Sequence, residues 1–239
     1  MKGCCEGTAL TNAVVVNIPS DTPLVPFNFS AIGTSAHELF HQWNMKYVFP
    51  KSPSGAYLLS EGFTNYFAVA SLVRAKMIPE RSFARFMSIY RNKLKKNPKY
   101  KDSTYSKIQT GFATNDDELV DLAYTKGPFV AILMDIALKE DTEGKSSITS
   151  WFQTLSKEFG GKRGYTIKDL RRLTIEVSGR TNGKAVRMFD SAFIGGKRLP
   201  LGALFVRLGI SCKTLKSCTL KPLSQKDEKI RSRLFSAEL

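Results

Sequence analysis

The only two histidines of the 239-residue chain, His37 and His41, stand four residues apart in the string HELFHQWN, with Glu38 directly after the first. Side chains at i and i+4 share one face of a helix, so two imidazoles at this spacing can reach the same ion. A glutamate one residue along is placed to take a proton from a water bound there. A catalytic zinc takes three protein ligands and keeps a fourth position open. No third histidine exists, so the third ligand has to be a carboxylate or a thiolate. Glu61 is the best candidate, twenty residues past His41 at the start of the next expected helix. A helix–loop–helix hairpin of that length brings both faces to one ion. The three-histidine arrangement HExxHxxGxxH is excluded, because the positions it needs hold Asn44 and Tyr47. Plainer uses exist for the same residues. Ser35 and Glu38 also fit a capping box, and Glu61 fits the acidic first turn of a helix.

These side chains need elements to hold them. The β-branched run AVVVNI at 13–18, closed by Pro19, predicts a short strand, and a Pro-containing loop follows through residues 21–26. The motif helix is expected to start after Gly33 or earlier and to run to about Tyr47. Pro50, Pro53 and Gly55 mark a loop, after which Ser60 is an N-cap candidate for a helix reaching about Lys76. Pro79 at a first helical position opens another helix ending in the basic cluster 91–96. Residues 97–121 are polar and read as irregular, with Asp116, Asp117 and Glu118 as an acidic island. Further helices are expected at about 125–139, 148–159, 167–178, 184–193 and 201–208. Thr166 and Asp169 form a capping box for one of them, and Gly179 ends it. The expected fold is mainly α (α+β), with a short strand region at the front and a C-terminal tail that frays.

Bulk properties narrow the function class. An apolar content of 42% with 24% charged residues describes an ordinary globular chain. The excess of 36 Lys and Arg over 21 Asp and Glu gives a net charge of +15. The basic residues are dispersed, and their densest cluster reads as the cation-rich end of a helix, so no nucleic-acid partner is expected. The longest apolar run, PFVAILMDIAL, is broken by Asp135 and reads as a buried helix rather than a transmembrane span. No signal peptide is visible, which makes a cytoplasmic location the expectation for the chain as given. The cysteines fall as Cys4 with Cys5 and Cys212 with Cys218; their redox state and the oligomeric state are left open.

At HELFHQWN followed by LSEGFTNYF the chain resembles the gluzincin metallopeptidases. More narrowly it resembles the glycyl aminopeptidase family, whose members carry HExFHxWN…EGFTxYY. The resemblance continues through Tyr124-Thr-Lys-Gly127, GYTIKDLRRLTIEVSG and LPLGALFVRLGI, and covers roughly residues 5–210. It implies a thermolysin-like catalytic region over 1–210, with 211–239 as a tail, and one Zn2+ ion held by His37, His41 and Glu61. It also implies Glu38 as general base, Tyr124 as hydrogen-bond donor to the tetrahedral intermediate, and peptides as substrates. Trp43 and Asn44 match the family string as packing and local hydrogen-bonding residues. Asn65 stands where some thermolysin-like enzymes use an aspartate to orient a zinc-bound histidine. At the position of the family glutamate that grips a substrate's free amine the chain has Ala9, with Glu6 three residues earlier. The alternative is therefore a zinc-retaining but catalytically impaired domain that binds peptides or a partner.

Overall fold

The computed structural model describes residues 6–18, 29–52, 56–195, 198–214 and 217–235. The Cys4–Cys5 pair and the loop at 21–26 lie outside the described residues. The fold is mainly helical, with two small two-stranded sheets. The expected strand is present as β2 (Ala13–Asn17). A strand not expected, β1 (Glu6–Leu10), pairs antiparallel to it with Thr8 opposite Val15. Asn12 closes the turn in the left-handed region at φ 59°, which asparagine tolerates better than most residues.

Helix α1 (Phe29–Phe40) carries the HExxH motif but stops at Phe40, short of the expected Tyr47. Ser35 lies inside it, so the capping-box use of Ser35 and Glu38 is not realised. Beyond Phe40 the chain loosens: the N–H groups of Lys46, Tyr47 and Val48 donate to the carbonyls of His41, Gln42 and Trp43. The reason lies in Asn44, which is completely buried. Its Nδ2 donates to the Leu59 carbonyl at 3.0 Å and to Thr64 Oγ1 at 3.0 Å. A continuing helix would carry Asn44 away from these acceptors, and Met45 takes a φ of 133° as the chain turns instead.

The second part of the motif begins in a π-helical turn, Leu58–Phe63, that runs into α2 (Thr64–Arg74). Ser60 is buried within that turn and caps nothing, contrary to its expected role. Gly62 lies directly against Gly127; a Cβ on Gly62 would sit 2.8 Å from the Ala123 carbonyl oxygen. This close approach of two backbones needs glycine on both sides. α3 (Glu80–Lys96) follows, with Pro79 at its N-cap and Lys93, Lys95 and Lys96 in its last turn.

The stretch 97–121 is more ordered than its polarity suggests. It holds α4 (Tyr105–Thr114), ended by Asn115 at φ 53°, and the start of α5 (Asp117–Asp141). The acidic island is a helix start: the Asp116 side chain accepts the N–H of Leu119 at 3.2 Å, and Asp117 and Glu118 occupy the first turn. There they complement the positive end of the helix dipole. α5 continues through Pro128 and forms the centre of the molecule, packed by the π-helical turn, α2, α3, α4 and the later helices. Asp135, inside its apolar run, is buried but paired with Lys139 at 2.7 Å and accepts the Ile148 N–H at 2.8 Å.

α6 (Ile148–Phe159), α7 (Ile167–Ser178), α8 (Lys184–Phe189), continued by a π turn to Ile194, and α9 (Leu201–Arg207) stand close to where the sequence placed them. The Thr166–Asp169 box forms in both directions, and Gly179 takes the left-handed φ of 64°. The end of the chain does not fray over its described residues. β3 (Ile210–Thr214) and β4 (Ser217–Leu220) form a hairpin bridged by a Cys212–Cys218 disulfide and packed on α3. α10 (Gln225–Phe235) lies on α2, with Leu234 fully buried and its carbonyl accepting from Arg74 Nε at 3.1 Å. No described helix is long and apolar enough to cross a membrane.

Candidate metal centre

His37 lies in the last turn of α1, His41 lies one residue beyond the helix, and Glu61 comes from the π-helical turn. All three are buried. His37 Nε2 and His41 Nε2 are 2.9 Å apart, and Glu61 Oε2 is 3.2 Å from the first and 3.4 Å from the second. A tetrahedral ion with ligands at about 2.0–2.1 Å holds those ligands about 3.3 Å from one another, so the triangle has the size that a zinc-like ion requires. The three side chains form a group able to hold a metal ion.

The other ring nitrogens explain why Nε2 faces inward in both histidines. His37 Nδ1 is 2.9 Å from Asn65 Oδ1, and His41 Nδ1 is 3.0 Å from the Asn44 carbonyl oxygen. Each Nδ1–H has an acceptor, which leaves the Nε2 lone pairs and the Glu61 carboxylate converging on one point. Three lone pairs meeting in a buried space are a mutually repulsive set until a cation lies among them. Without a metal ion, protons on the imidazole Nε2 atoms take the place of that cation and donate to Glu61. Burial works against ionised Glu61, but hydrogen bonds from His37 and His41 outweigh it and hold the carboxyl down at about 2. Burial likewise works against protonated His41, yet Glu61 and the Asn44 carbonyl raise its pKa above the ordinary value.

Asn65 is therefore the residue that orients His37, with a neutral amide in place of a carboxylate. Its position has a cause in the neighbouring helix. Pro128 has no N–H, so the carbonyl of Tyr124, four residues earlier in α5, loses its helical donor. Asn65 Nδ2 donates to that carbonyl at 3.2 Å. The amide thus fills a gap made by proline with one end and holds the histidine with the other. The sequence singled out Asn65 but gave no sign of its link to Pro128, because the two are far apart along the chain.

A cavity of about 510 Å³ opens beside His37, and Glu38, Tyr124, Asn65, Glu6 and Gly7 are among its lining residues. Tyr124 is half buried, with its ring 6.1 Å from that of His37 and nearly parallel to it. Burial first, and then the negative charge and hydrogen bond of Glu61, push its phenol well above the ordinary tyrosine range. It is therefore a protonated donor at any physiological pH. Gly7 brings β1 across Glu38: a Cβ there would lie 2.7 Å from Glu38 Oε1. Gln42 holds this strand pair in place, donating from Nε2 to the carbonyls of Leu10 at 2.9 Å and Ala13 at 3.0 Å and accepting the Asn12 N–H at 3.2 Å. Sequence reading missed both Gly7 and Gln42, although Gln42 stands inside the motif string itself.

Of the residues singled out in the sequence, His37, His41, Glu38, Glu61 and Tyr124 come together, and Asn65 and Asn44 brace them. Trp43 stands half exposed beside Phe40, 6.2 Å between ring centroids, rather than in the core. Ala9 does not line the cavity, whereas Glu6 does. No curated protein matches the chain. His37, Glu38, His41, Glu61 and Tyr124 all fall within residues 30–127, the segment that matches the model of the M61 glycyl aminopeptidases, a family of zinc metallopeptidases.

Proposed function

We propose that this chain is a zinc-dependent peptidase of aminopeptidase type. The observation that carries the reading is the His37, His41 and Glu61 triangle beside a cavity lined by His37 together with Glu38, Glu6 and Tyr124. His37, His41 and Glu61 would hold one Zn2+ ion. When bound, that ion supplies Lewis acidity, which acidifies a water and polarises a carbonyl.

The remaining steps belong to the side chains. Glu38, beside His37 and held under β1, takes the proton of the attacking water and returns it to the leaving amine. Tyr124 donates its O–H to the oxygen that becomes anionic as the carbonyl is attacked. Glu6, at the cavity and close in sequence to the strand residue that packs on Glu38, offers a carboxylate to the ammonium of a substrate's first residue. It supplies the acid that the sequence lacks at Ala9, and with it one of the two grounds for the alternative of an impaired binding domain is removed.

The test combines zinc analysis with cleavage of peptides bearing free and acetylated N-termini. One zinc per chain and release of the first residue from free peptides alone are the expected results. Cleavage of acetylated peptides only would remove Glu6 from its role and overturn the aminopeptidase reading. Glu38→Gln should abolish hydrolysis while zinc stays bound, and a wild type already inactive with zinc in place would restore the binding-domain alternative.

A further inference from the structure

Beyond its metal end, the cavity has a second part with different chemistry. α2 contributes Asn65, Ala68 and Val69, and α3 contributes Phe86, Ile89 and Tyr90. Each set has the spacing i, i+3, i+4, so each is one continuous helix face. On α2 the face starts at the amide that orients His37 and passes directly into apolar groups. Ala68, Val69 and Phe86 are buried, with 2–4% of their surface exposed. The Phe86 and Tyr90 rings lie 4.1 Å apart between centroids at 38°. Glu38 and Asn65 stand beside His37, and Tyr90 lies close enough to Tyr124 to act on its phenol, so the hydrocarbon wall is the surface of Ala68, Val69, Phe86 and Ile89.

We infer that this wall receives the first side chain of the substrate, and that the substrate class is peptides with a bulky apolar N-terminal residue such as leucine or phenylalanine, not glycine. The inference rests on the peptidase reading for the placement of the scissile bond. The volume argues for it: about 510 Å³ lies in the range of pockets that enclose whole small ligands, roughly 300–1,000 Å³. Glycine has no side chain to displace water from the apolar end. A leucine or phenylalanine side chain does, and each methylene placed in an apolar pocket is worth roughly 10–200-fold in selectivity. A substrate amine at Glu6 and a carbonyl near Tyr124 leave the side chain of the first residue to face α2 and α3.

The experiment uses the full chain loaded with zinc and two parallel ladders. The first is binding of the hydroxamates of glycine, alanine, leucine and phenylalanine, followed by calorimetry. The second is kcat/KM for release of the same four residues from dipeptide amides. We expect leucine and phenylalanine to exceed glycine by at least about 10²-fold in both ladders. In Ala68→Leu, which fills the wall, phenylalanine hydroxamate should lose at least about 10-fold more affinity than glycine hydroxamate. A flat binding ladder, or one that favours glycine, overturns the inference even where turnover is present and the peptidase reading stands. A steep binding ladder without turnover supports the inference and sinks the peptidase reading. Should the variant not fold, the wild-type ladders decide alone.

Discussion

Replacing Asn65 by alanine removes two contacts at once, and their consequences separate. The lost acceptor frees His37 Nδ1, now 2.9 Å from Asn65 Oδ1, so the ring can rotate and its Nε2 is no longer held toward Glu61. Groups that orient metal-bound histidines typically contribute 10–100-fold in metal affinity, or about 1.4–2.7 kcal/mol. The lost donor leaves the Tyr124 carbonyl without a partner, because Pro128 cannot supply one. An unsatisfied buried carbonyl costs about 1–3 kcal/mol of stability. Asn65 lines the cavity and is only half buried, so water can enter and the lower end applies. Competition with a chromophoric chelator reads the first effect, and urea unfolding of the metal-free protein reads the second. Asn65→Asp keeps the acceptor and discards the donor, so it should retain zinc while losing stability. Pro128→Ala restores a backbone N–H in α5, and in that background Asn65→Asp should cost less stability than in the wild type. An Asn65→Ala protein that binds zinc as tightly as wild type would refute the chain of reasoning from Pro128 to His37.

Three further outcomes are expected. Tyr124→Phe should slow turnover by roughly 10²–10³-fold with zinc retained, the usual cost of losing one oxyanion donor; unchanged kcat would take Tyr124 out of the reaction. Removing zinc with a chelator should lower the midpoint of thermal unfolding. Saturation at one hundred times Kd adds about 2.7 kcal/mol, which for a chain of this size is about 5–10 °C, and no shift on restoring zinc would contradict the site. Lys126 is completely buried, its Nζ 2.6 Å from the Ser103 carbonyl oxygen, and burial lowers its pKa to about 8 from the ordinary 10.5. Below pH 8 both folded and unfolded states carry the charge and the burial cost is full; above 10.5 neither does. Wild-type stability should therefore rise by about 3 kcal/mol relative to Lys126→Met between these values, and parallel urea-unfolding profiles for the two proteins would show the lysine is not held this way.

What the sequence disclosed follows the range of the signals involved. The His37–His41 pair, the Thr166–Asp169 box and the Gly179 stop are local patterns, and local geometry decides them. Glu61 was reachable because its spacing from His41 suits a helical hairpin and the SEGFTNYF string around it is distinctive. The π-helical turn at Leu58–Phe63, by contrast, depends on Gly62 meeting Gly127, two residues that nothing local connects. The early end of α1 depends on acceptors for Asn44 at Leu59 and Thr64, and polar residues 105–114 became helical through packing on α5. β1 escaped notice because five residues containing a glycine carry little strand signal until their partner and Gln42 are in view. Ala9 stands where the family acid is expected, and that Glu6 rather than Ala9 lines the cavity follows from how a strand lies over a helix, which cannot be counted out along the chain.

The disulfide-bridged hairpin and α10 acquire a role from what they back. The hairpin covers α3 and α10 covers α2, the two helices whose faces form the apolar wall; α2 also reaches the metal centre through Asn65, while α1 and the π-helical turn supply His37 and Glu61 directly. Local opening in proteins occurs in contiguous cooperative units. A chain shortened at residue 209 should show faster amide exchange in α2 and α3 and, through a looser hold of Asn65 on His37, weaker zinc binding, and reduction of Cys212–Cys218 should move the same amides in the same direction to a smaller extent. Side-chain selectivity and metal retention would then share a dependence on the C-terminal segment, transmitted through α2, and respond together to proteolysis or to redox conditions.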